Sequence, residues 1–138
     1  MVGLVVATHG ELAAELLRTA EGIVGAVDHA TAISVDSHTS VEEARARLAT
    51  AIHKVGIDGE GVLVLTDMFG GTPANLALTF LEEQIEVVTG VNLPMLLKLA
   101  TTRGAGLAAA AELATTQGQK NITLASALLR ARTQPTRR

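Results

Sequence analysis

One histidine of this 138-residue chain stands where a strand is predicted to run into a helix. His9 follows an apolar run at residues 2–7, which predicts a buried strand, and precedes a stretch with helical periodicity at residues 10–25. Such a junction lies at the carboxyl edge of an α/β sheet, where proteins of this class bind ligands. An imidazole there can carry and lose a proton, or a phosphoryl group, near neutral pH.

The residues around His9 also suggest how its ring is placed. Thr8 and Glu11 have the spacing of a capping box, which predicts that Thr8 caps the first helix. His9 would then lie in the first turn, near the positive end of the helix dipole. That dipole favours the neutral, nucleophilic imidazole, and the same end of the helix attracts an anion.

A second strand end carries an aspartate followed by a glycine-rich loop. Residues 61–66 form the most apolar predicted strand, and Asp67 follows it directly. Gly70 and Gly71 allow backbone conformations in which amide N–H groups converge on one point. Thr72 is predicted as the N-cap of the next helix. The sequence therefore predicts a phosphate-binding loop built from Gly70, Gly71 and Thr72.

If the predicted strands before His9 and before Asp67 are neighbours in the sheet, their ends lie side by side. Asp67 can then accept the Nδ1–H of His9, fix the ring tautomer and stabilise positive charge while Nε2 attacks a phosphorus atom. Phosphoryl transfer needs little beyond positioning and charge stabilisation, so few residues suffice. The alternative interpretation is that His9 is an ordinary polar loop residue, that the glycine pair only starts a helix, and that Asp67 only closes a turn.

Other catalytic and metal-binding patterns are missing from the sequence. His29, His38 and His53 are predicted to be surface residues, and no ligand set has the spacing of a zinc site. Without cysteine, disulfides and thiolate catalysis are excluded. The serine elbow of hydrolases and the glycine signatures of Walker and dinucleotide-binding loops are also missing. We therefore expect neither a metal nor a cofactor.

Strand-like and helical segments alternate along the chain. This order predicts an α/β fold with a doubly wound, mainly parallel four-stranded sheet flanked by helices. Residues 120–125 predict a short fifth strand. We expect a single domain over residues 1–128 and a flexible basic tail over residues 129–138. The predicted strands cover residues 2–7, 32–35, 61–66 and 86–91, and the predicted helices cover residues 10–25, 41–55, 73–83, 94–102 and 107–117.

The composition excludes several classes of partner. The chain has no Trp, no Tyr and two Phe, so its core must be aliphatic, and stacking on bases or sugars is nearly excluded. A net charge of −3 provides no basic field for nucleic acid. The N-terminal apolar run is too short for a membrane span and lacks the basic region of a signal peptide. We expect a cytoplasmic protein.

Four stretches of the sequence resemble the IIA domain of the mannose family of the bacterial phosphoenolpyruvate:sugar phosphotransferase system (PTS). These stretches are residues 5–10 (VVATHG), 19–25 (TAEGIVG), 66–73 (TDMFGGTP) and 90–96 (GVNLPML). Any one of them alone is unspecific, but together they are specific.

The resemblance implies a phosphotransferase with a phosphohistidine intermediate. His9 falls on the family's phosphorylated histidine, Asp67 on its partner aspartate, and Gly70, Gly71 and Thr72 on its glycine-rich loop. Such a domain accepts a phosphoryl group from the carrier HPr and passes it to a histidine of a IIB domain. The IIB domain then phosphorylates a sugar during uptake through a membrane IIC/IID transporter.

The resemblance also implies a homodimer in which the final strand, residues 120–125 here, pairs with the partner's sheet. Relatives often carry Trp in place of Phe69, so the partner-facing surface can differ. Three other functions use the same residues. They are a regulatory IIA-type protein that controls a partner through its phosphorylation state, a phosphoryl donor to a dihydroxyacetone kinase, and a non-enzymatic anion-binding module.

Overall fold

Four apolar runs form a parallel sheet whose strand order is β2-β1-β3-β4. The computed structural model describes residues 1–133. The most apolar strand, β3, lies inside the sheet beside β1, and both are covered on two faces, as their continuous hydrophobic runs predict. The strands are β1 (Gly3–His9), β2 (Ala30–Val35), β3 (Val62–Thr66) and β4 (Ile85–Thr89).

Helices cover both faces of this sheet, which confirms the doubly wound α/β fold. Alternate side chains of β1 point to opposite faces: Val5 and Ala7 into one core cluster, Leu4 and Val6 into the other. The second and third helices pack on the first cluster, and the first, fourth and fifth on the second. The helices are α1 (Leu12–Val24), α2 (Val41–Val55), α3 (Gly71–Leu78), α4 (Leu93–Thr101), α5 (Leu107–Lys120) and α6 (Ala125–Thr133).

Polar caps define where two of these helices begin. Ser40 Oγ accepts the Glu43 N–H at 3.0 Å, so the predicted start of α2 is confirmed. Asn92 Oδ1 caps α4 by accepting the Met95 N–H at 3.1 Å. Among the helices of residues 1–133, none combines the length and the apolar character that a membrane crossing needs.

Two helix ends differ from the prediction. The third helix ends at Leu78 and not near residue 83, because a turn follows it and Glu82 bridges to Ile85 at the start of β4. Gly118 does not end α5. It lies inside that helix, at a position where a Cβ would come within 2.7 Å of Met95 Cε. The missing side chain therefore lets α5 approach α4 closely.

The predicted fifth strand does not form within the single chain. Lys120 still belongs to α5, Ala125 begins α6, and the residues between them pair with no strand. An extended segment becomes a strand only when its backbone finds a partner. The predicted tail starts too early as well, because residues 129–133 belong to α6, whose alanine, leucine and arginine residues favour a helix. Residues 134–138 of that tail lie outside the described residues.

A buried arginine, not foreseen from the sequence, ties the amino-terminal edge of the sheet together. Arg103 is only 8% exposed. Its Nη1 donates to the Val2 carbonyl at 2.7 Å, its Nε to the Leu99 carbonyl at 3.1 Å, and its Nη2 to the Asp28 carbonyl. Burial lowers the pKa of this guanidinium, and the nearby Asp28 charge opposes that effect. The Arg103 side chain thus satisfies carbonyl groups from three segments of the chain.

We expect Arg103→Ala to lower the free energy of unfolding by about 2–4 kcal/mol, because several buried carbonyls lose their donor. Urea unfolding followed by circular dichroism measures the loss. Arg47→Ala is the matched control, since Arg47 only pairs with Glu43 on the exposed face of α2 at 2.7 Å. The control should stay within about 0.5 kcal/mol of wild type, and equal losses in both variants would contradict this role of Arg103.

Candidate functional site

The strand order brings the two predicted chemical groups into contact at the carboxyl edge of the sheet. In the parallel pair of β1 and β3, Ala7 lies opposite Thr66. His9 comes two residues after Ala7, and Asp67 comes directly after Thr66, so both lie at the carboxyl edge of the sheet. His9 Nδ1 lies 2.8 Å from Asp67 Oδ2, and the same oxygen accepts the His9 backbone N–H at 3.2 Å. One carboxylate oxygen therefore holds both the ring and the backbone of His9.

The predicted capping box at the first helix does not form. Glu11 occupies the N-cap position of α1 without a side-chain hydrogen bond, and His9 is the last residue of β1, not part of the first turn. Thr8 is a buried strand residue. Its Oγ1 accepts the Ala13 N–H at 2.7 Å and donates to the His9 carbonyl at 3.1 Å. Thr8 thus fastens the strand end to the helix without capping it.

The carboxyl group of Asp67 is largely withdrawn from solvent, at 14% side-chain exposure. Burial alone disfavours its charged form, but the hydrogen bonds from the His9 ring and backbone outweigh burial and lower the pKa of Asp67. Its second oxygen, Oδ1, is buried without a partner within residues 1–133. Asp67 is therefore an anion at neutral pH, held directly beside the imidazole.

The glycine pair brings the start of α3 directly against the imidazole. Gly70 is the N-cap of α3, with φ at 104°, and Gly71 is its first residue, with φ at 82°. A Cβ at Gly71 would lie 2.9 Å from His9 Nε2 and 2.7 Å from Cε1. The prediction that Thr72 caps this helix is wrong, because only glycine adopts these backbone angles without strain and the cap moves two residues earlier. Thr72 is instead the second helical residue.

A cleft of about 420 Å³ opens beside the imidazole. The His9 side chain is 48% exposed, and no hydrogen bond within residues 1–133 engages its Nε2. With Nδ1 turned toward Asp67, Nε2 is the ring nitrogen left without a partner among these residues. The cleft is lined by His9, Gly10, Val35, Asp36, Ser37 and Thr72.

None of the remaining histidines lines this cleft, although His38 directly follows Ser37 in the loop that forms one of its walls. His38 and His53 are exposed, as predicted. His29 is only partly exposed, because its Nε2 lies 3.0 Å from Asp58 Oδ2 at the opposite edge of the sheet. Among residues 1–133, no three imidazole or carboxylate groups cluster closely enough to hold a metal ion.

Comparison with known proteins agrees with this geometry. The EIIA-man family model, described as "PTS system fructose IIA component", matches residues 3–117. The chain belongs to the mannose-type IIA family of the phosphotransferase system. It is 35% identical over 108 residues to the PTS system mannose-specific EIIAB component of Escherichia coli K12, an alignment that covers 74% of this chain. The chain spans only 32% of that relative's length.

Another relative and a solved structure extend the similarity. The PTS system fructose-specific EIIA component of Bacillus subtilis 168 is 29% identical over 105 residues, covering 75% of this chain and 71% of the relative. The mannose/sorbose-specific IIA subunit from Enterococcus faecalis has a TM-score of 0.79 at 30% identity, covering 88% of this chain and 92% of the subunit. The fold of this IIA component is therefore that of solved phosphotransferase-system IIA subunits.

One wall of the cleft in this IIA component carries residues that the sequence did not predict as part of the site. Asp36 and Ser37 follow β2, which pairs with β1 so that Val35 lies opposite His9. The signal was the same one that revealed Asp67, namely polar residues directly after a strand. It was overlooked because β2 is short and its neighbour in the sheet is not evident from its own residues.

If His9 accepts a phosphoryl group, Gly71→Ala should prevent that acceptance while leaving the fold intact, because the new Cβ would collide with the His9 ring. Labelling by phospho-HPr measures the loss, and circular dichroism checks the fold. Gly70→Ala is the matched control, since it is also at positive φ but has nothing within 4 Å of its Cβ. Both variants should lose about 1 kcal/mol of stability, and equal labelling of the two would contradict the steric explanation.

Proposed function

We propose that this protein is a phosphocarrier that accepts a phosphoryl group on His9 and hands it on. The observation that supports this most directly is the 2.8 Å contact between His9 Nδ1 and Asp67 Oδ2, which leaves Nε2 facing an open cleft. The role of Asp67 is to hold the proton on Nδ1 and to stabilise the positive charge that develops on the ring.

The transfer step conserves electrons and protons. The Nε2 lone pair of neutral His9 forms a bond to phosphorus while the P–N bond of the donor's phosphohistidine breaks. The electron pair of the broken bond returns to the donor ring, and a PO₃ unit moves between the two nitrogens. The Nδ1 proton stays on His9, whose ring becomes cationic beside the Asp67 carboxylate. The same step in reverse, with a IIB histidine as nucleophile, discharges the carrier.

The glycine-rich loop is the proposed binding site for the transferred group. Gly71 begins α3 against the His9 ring, the first N–H groups of a helix have no partner within that helix, and Thr72 is on the cleft wall. Backbone donors and the positive end of a helix dipole stabilise the charge on a phosphoryl group. The arrangement needs no metal, because the amides take over the stabilisation of the oxygens.

The proposed partners are HPr as phosphoryl donor and a IIB domain as acceptor, with a membrane IIC/IID transporter acting downstream. The loop after Asp67 supports docking at this edge, because Met68 and Phe69 expose apolar side chains there, Phe69 to 76%. Exposed apolar residues beside a reactive group are typical of protein docking surfaces. We place the protein in the cytoplasm, where these partners act.

Phosphorylation by labelled phosphoenolpyruvate, Enzyme I and HPr tests the proposal. We expect acid-labile, base-stable label on wild type and on the control His53→Ala, and none on His9→Ala. Asp67→Asn should slow labelling roughly 10- to 100-fold, because the amide no longer enforces the Nδ1–H tautomer. No label on wild type would overturn the carrier function. Label on His9→Ala would mean that a histidine other than His9 is phosphorylated.

The same assay separates the carrier from its alternatives. Chase of the label from wild type onto a IIB domain is expected for a sugar-transport carrier. Label that no IIB domain accepts would favour the regulatory protein. Label chased only onto a dihydroxyacetone kinase would favour a phosphoryl donor to that kinase. Phosphate binding that survives His9→Ala without any covalent label would favour an anion-binding module.

We infer that the segment between α5 and α6 pairs with a second copy of this chain. Ile122 and Leu124 are 79% and 72% exposed, and α6 buries no residue. β4 is an edge strand, so its outer backbone groups are available for pairing. An exposed apolar segment and an open sheet edge on one chain can supply the two halves of an exchanged strand contact.

Wild type should sediment as a dimer, and Ile122→Asp with Leu124→Asp should sediment as a monomer with unchanged circular dichroism. The charged side chains cannot be buried at the contact without a large desolvation cost. Val41→Asp is the control, because Val41 is exposed on α2, far from this segment. A monomeric wild type, or a dimer that survives both substitutions, would contradict the exchange.

A further inference from the structure

The cleft beside His9 contains a carboxylate that the proposed transfer chemistry leaves unused. Asp36 follows β2 and lines the same cleft as His9 and Thr72. Its position is set by the sheet, because Val35 lies opposite His9 in the pairing of β1 with β2, and the Gly10 N–H donates to the Val35 carbonyl at 3.0 Å. The wall that carries Asp36 is therefore held firmly against the reactive residue.

The local hydrogen bonds of Asp36 keep it charged. Its Oδ1 accepts the His38 backbone N–H at 2.8 Å and the Thr39 hydroxyl at 3.1 Å. These bonds, that of the His38 N–H first, lower the pKa of Asp36. Asp36 is thus an anion at neutral pH, and its loop is closed without a bond to His9.

No Lys or Arg lines this cleft within the described part of the chain. A phosphoryl group bound to His9 carries close to two negative charges at neutral pH and would face Asp36 across the cleft. Like charges in a shared site raise the free energy of the state that holds both. A site built only to retain phosphate would be expected to present a cation at this wall, as phosphate-binding proteins commonly do.

We propose that Asp36 destabilises the phosphorylated form of His9 by charge repulsion, and so raises the tendency of this carrier to pass its phosphoryl group on. Asp36 acts through its charge on the stability of phosphorylated His9 and is not a nucleophile. This role rests on the proposed carrier function. The amides and the hydroxyl at the start of α3 bind the phosphoryl group, and the charge of Asp36 weakens its retention on His9.

The equilibrium distribution of label between HPr and this protein measures the effect. Asp36→Asn keeps the shape of the side chain and an oxygen that can accept from His38 and Thr39, but removes the charge. We expect it to shift the distribution toward the phosphorylated carrier by about fivefold at low ionic strength, with a smaller shift at high salt. Hydrolysis of the isolated phosphorylated protein should slow in the same variant.

Two further variants separate charge from loop geometry. Asp36→Ser also removes the charge but changes the hydrogen-bonding geometry, so a charge effect predicts the same shift in both variants. Glu83→Gln removes one exposed carboxylate from the loop before β4, at the opposite edge of the sheet, and should leave the distribution unchanged.

The outcomes distinguish this role from the proposed function. Label on wild type with an unchanged distribution in Asp36→Asn would overturn the role of Asp36 alone. A shift that Glu83→Gln reproduces, or one that does not weaken with salt, would overturn it as well. No label on wild type would overturn the carrier function itself.

Discussion

The hydrogen bond between His9 Nδ1 and Asp67 Oδ2 depends directly on strand order. Each residue ends or follows a different strand, and the two strands are neighbours because β2 lies on the outer side of β1. In a sheet that followed chain order, β2 would separate them by about 10 Å, twice the spacing of adjacent strands. The topology of the sheet is thus what brings a histidine and an aspartate that are 58 positions apart in the chain into contact.

Three strand ends supply different parts of the site from the same edge. The end of β1 supplies the imidazole, the segment after β3 supplies the carboxylate and the glycine loop, and the segment after β2 supplies the opposite wall. Close contact is possible because Gly71 has no side chain to displace the ring. The amino-terminal edge has a different role, since Arg103 there binds carbonyls and stabilises the fold.

The elements predicted from the sequence agree with the structure over nearly the same residues that the family model matches. The match covers residues 3–117, which contain all four strands and most of α5. Predicted elements in this region agree with the structure apart from their ends. Beyond it, residues 120–125 form no strand within the single chain and residues 129–133 belong to α6, and Ile122 and Leu124 are exposed with no core of their own chain to fix their conformation. Local pattern is informative only where burial supports it.

The parallel α/β fold and the candidate residues His9, Asp67, Gly70, Gly71 and Thr72 were already evident in the amino-acid order. Apolar runs of strand length and polar residues at their ends depend only on local chemistry. Tertiary structure alone decided which strand ends meet, and with them the ring contact, the cleft wall at Asp36 and the burial of Arg103. Those depend on residues that are distant in the chain, and no local pattern encodes which strands become neighbours.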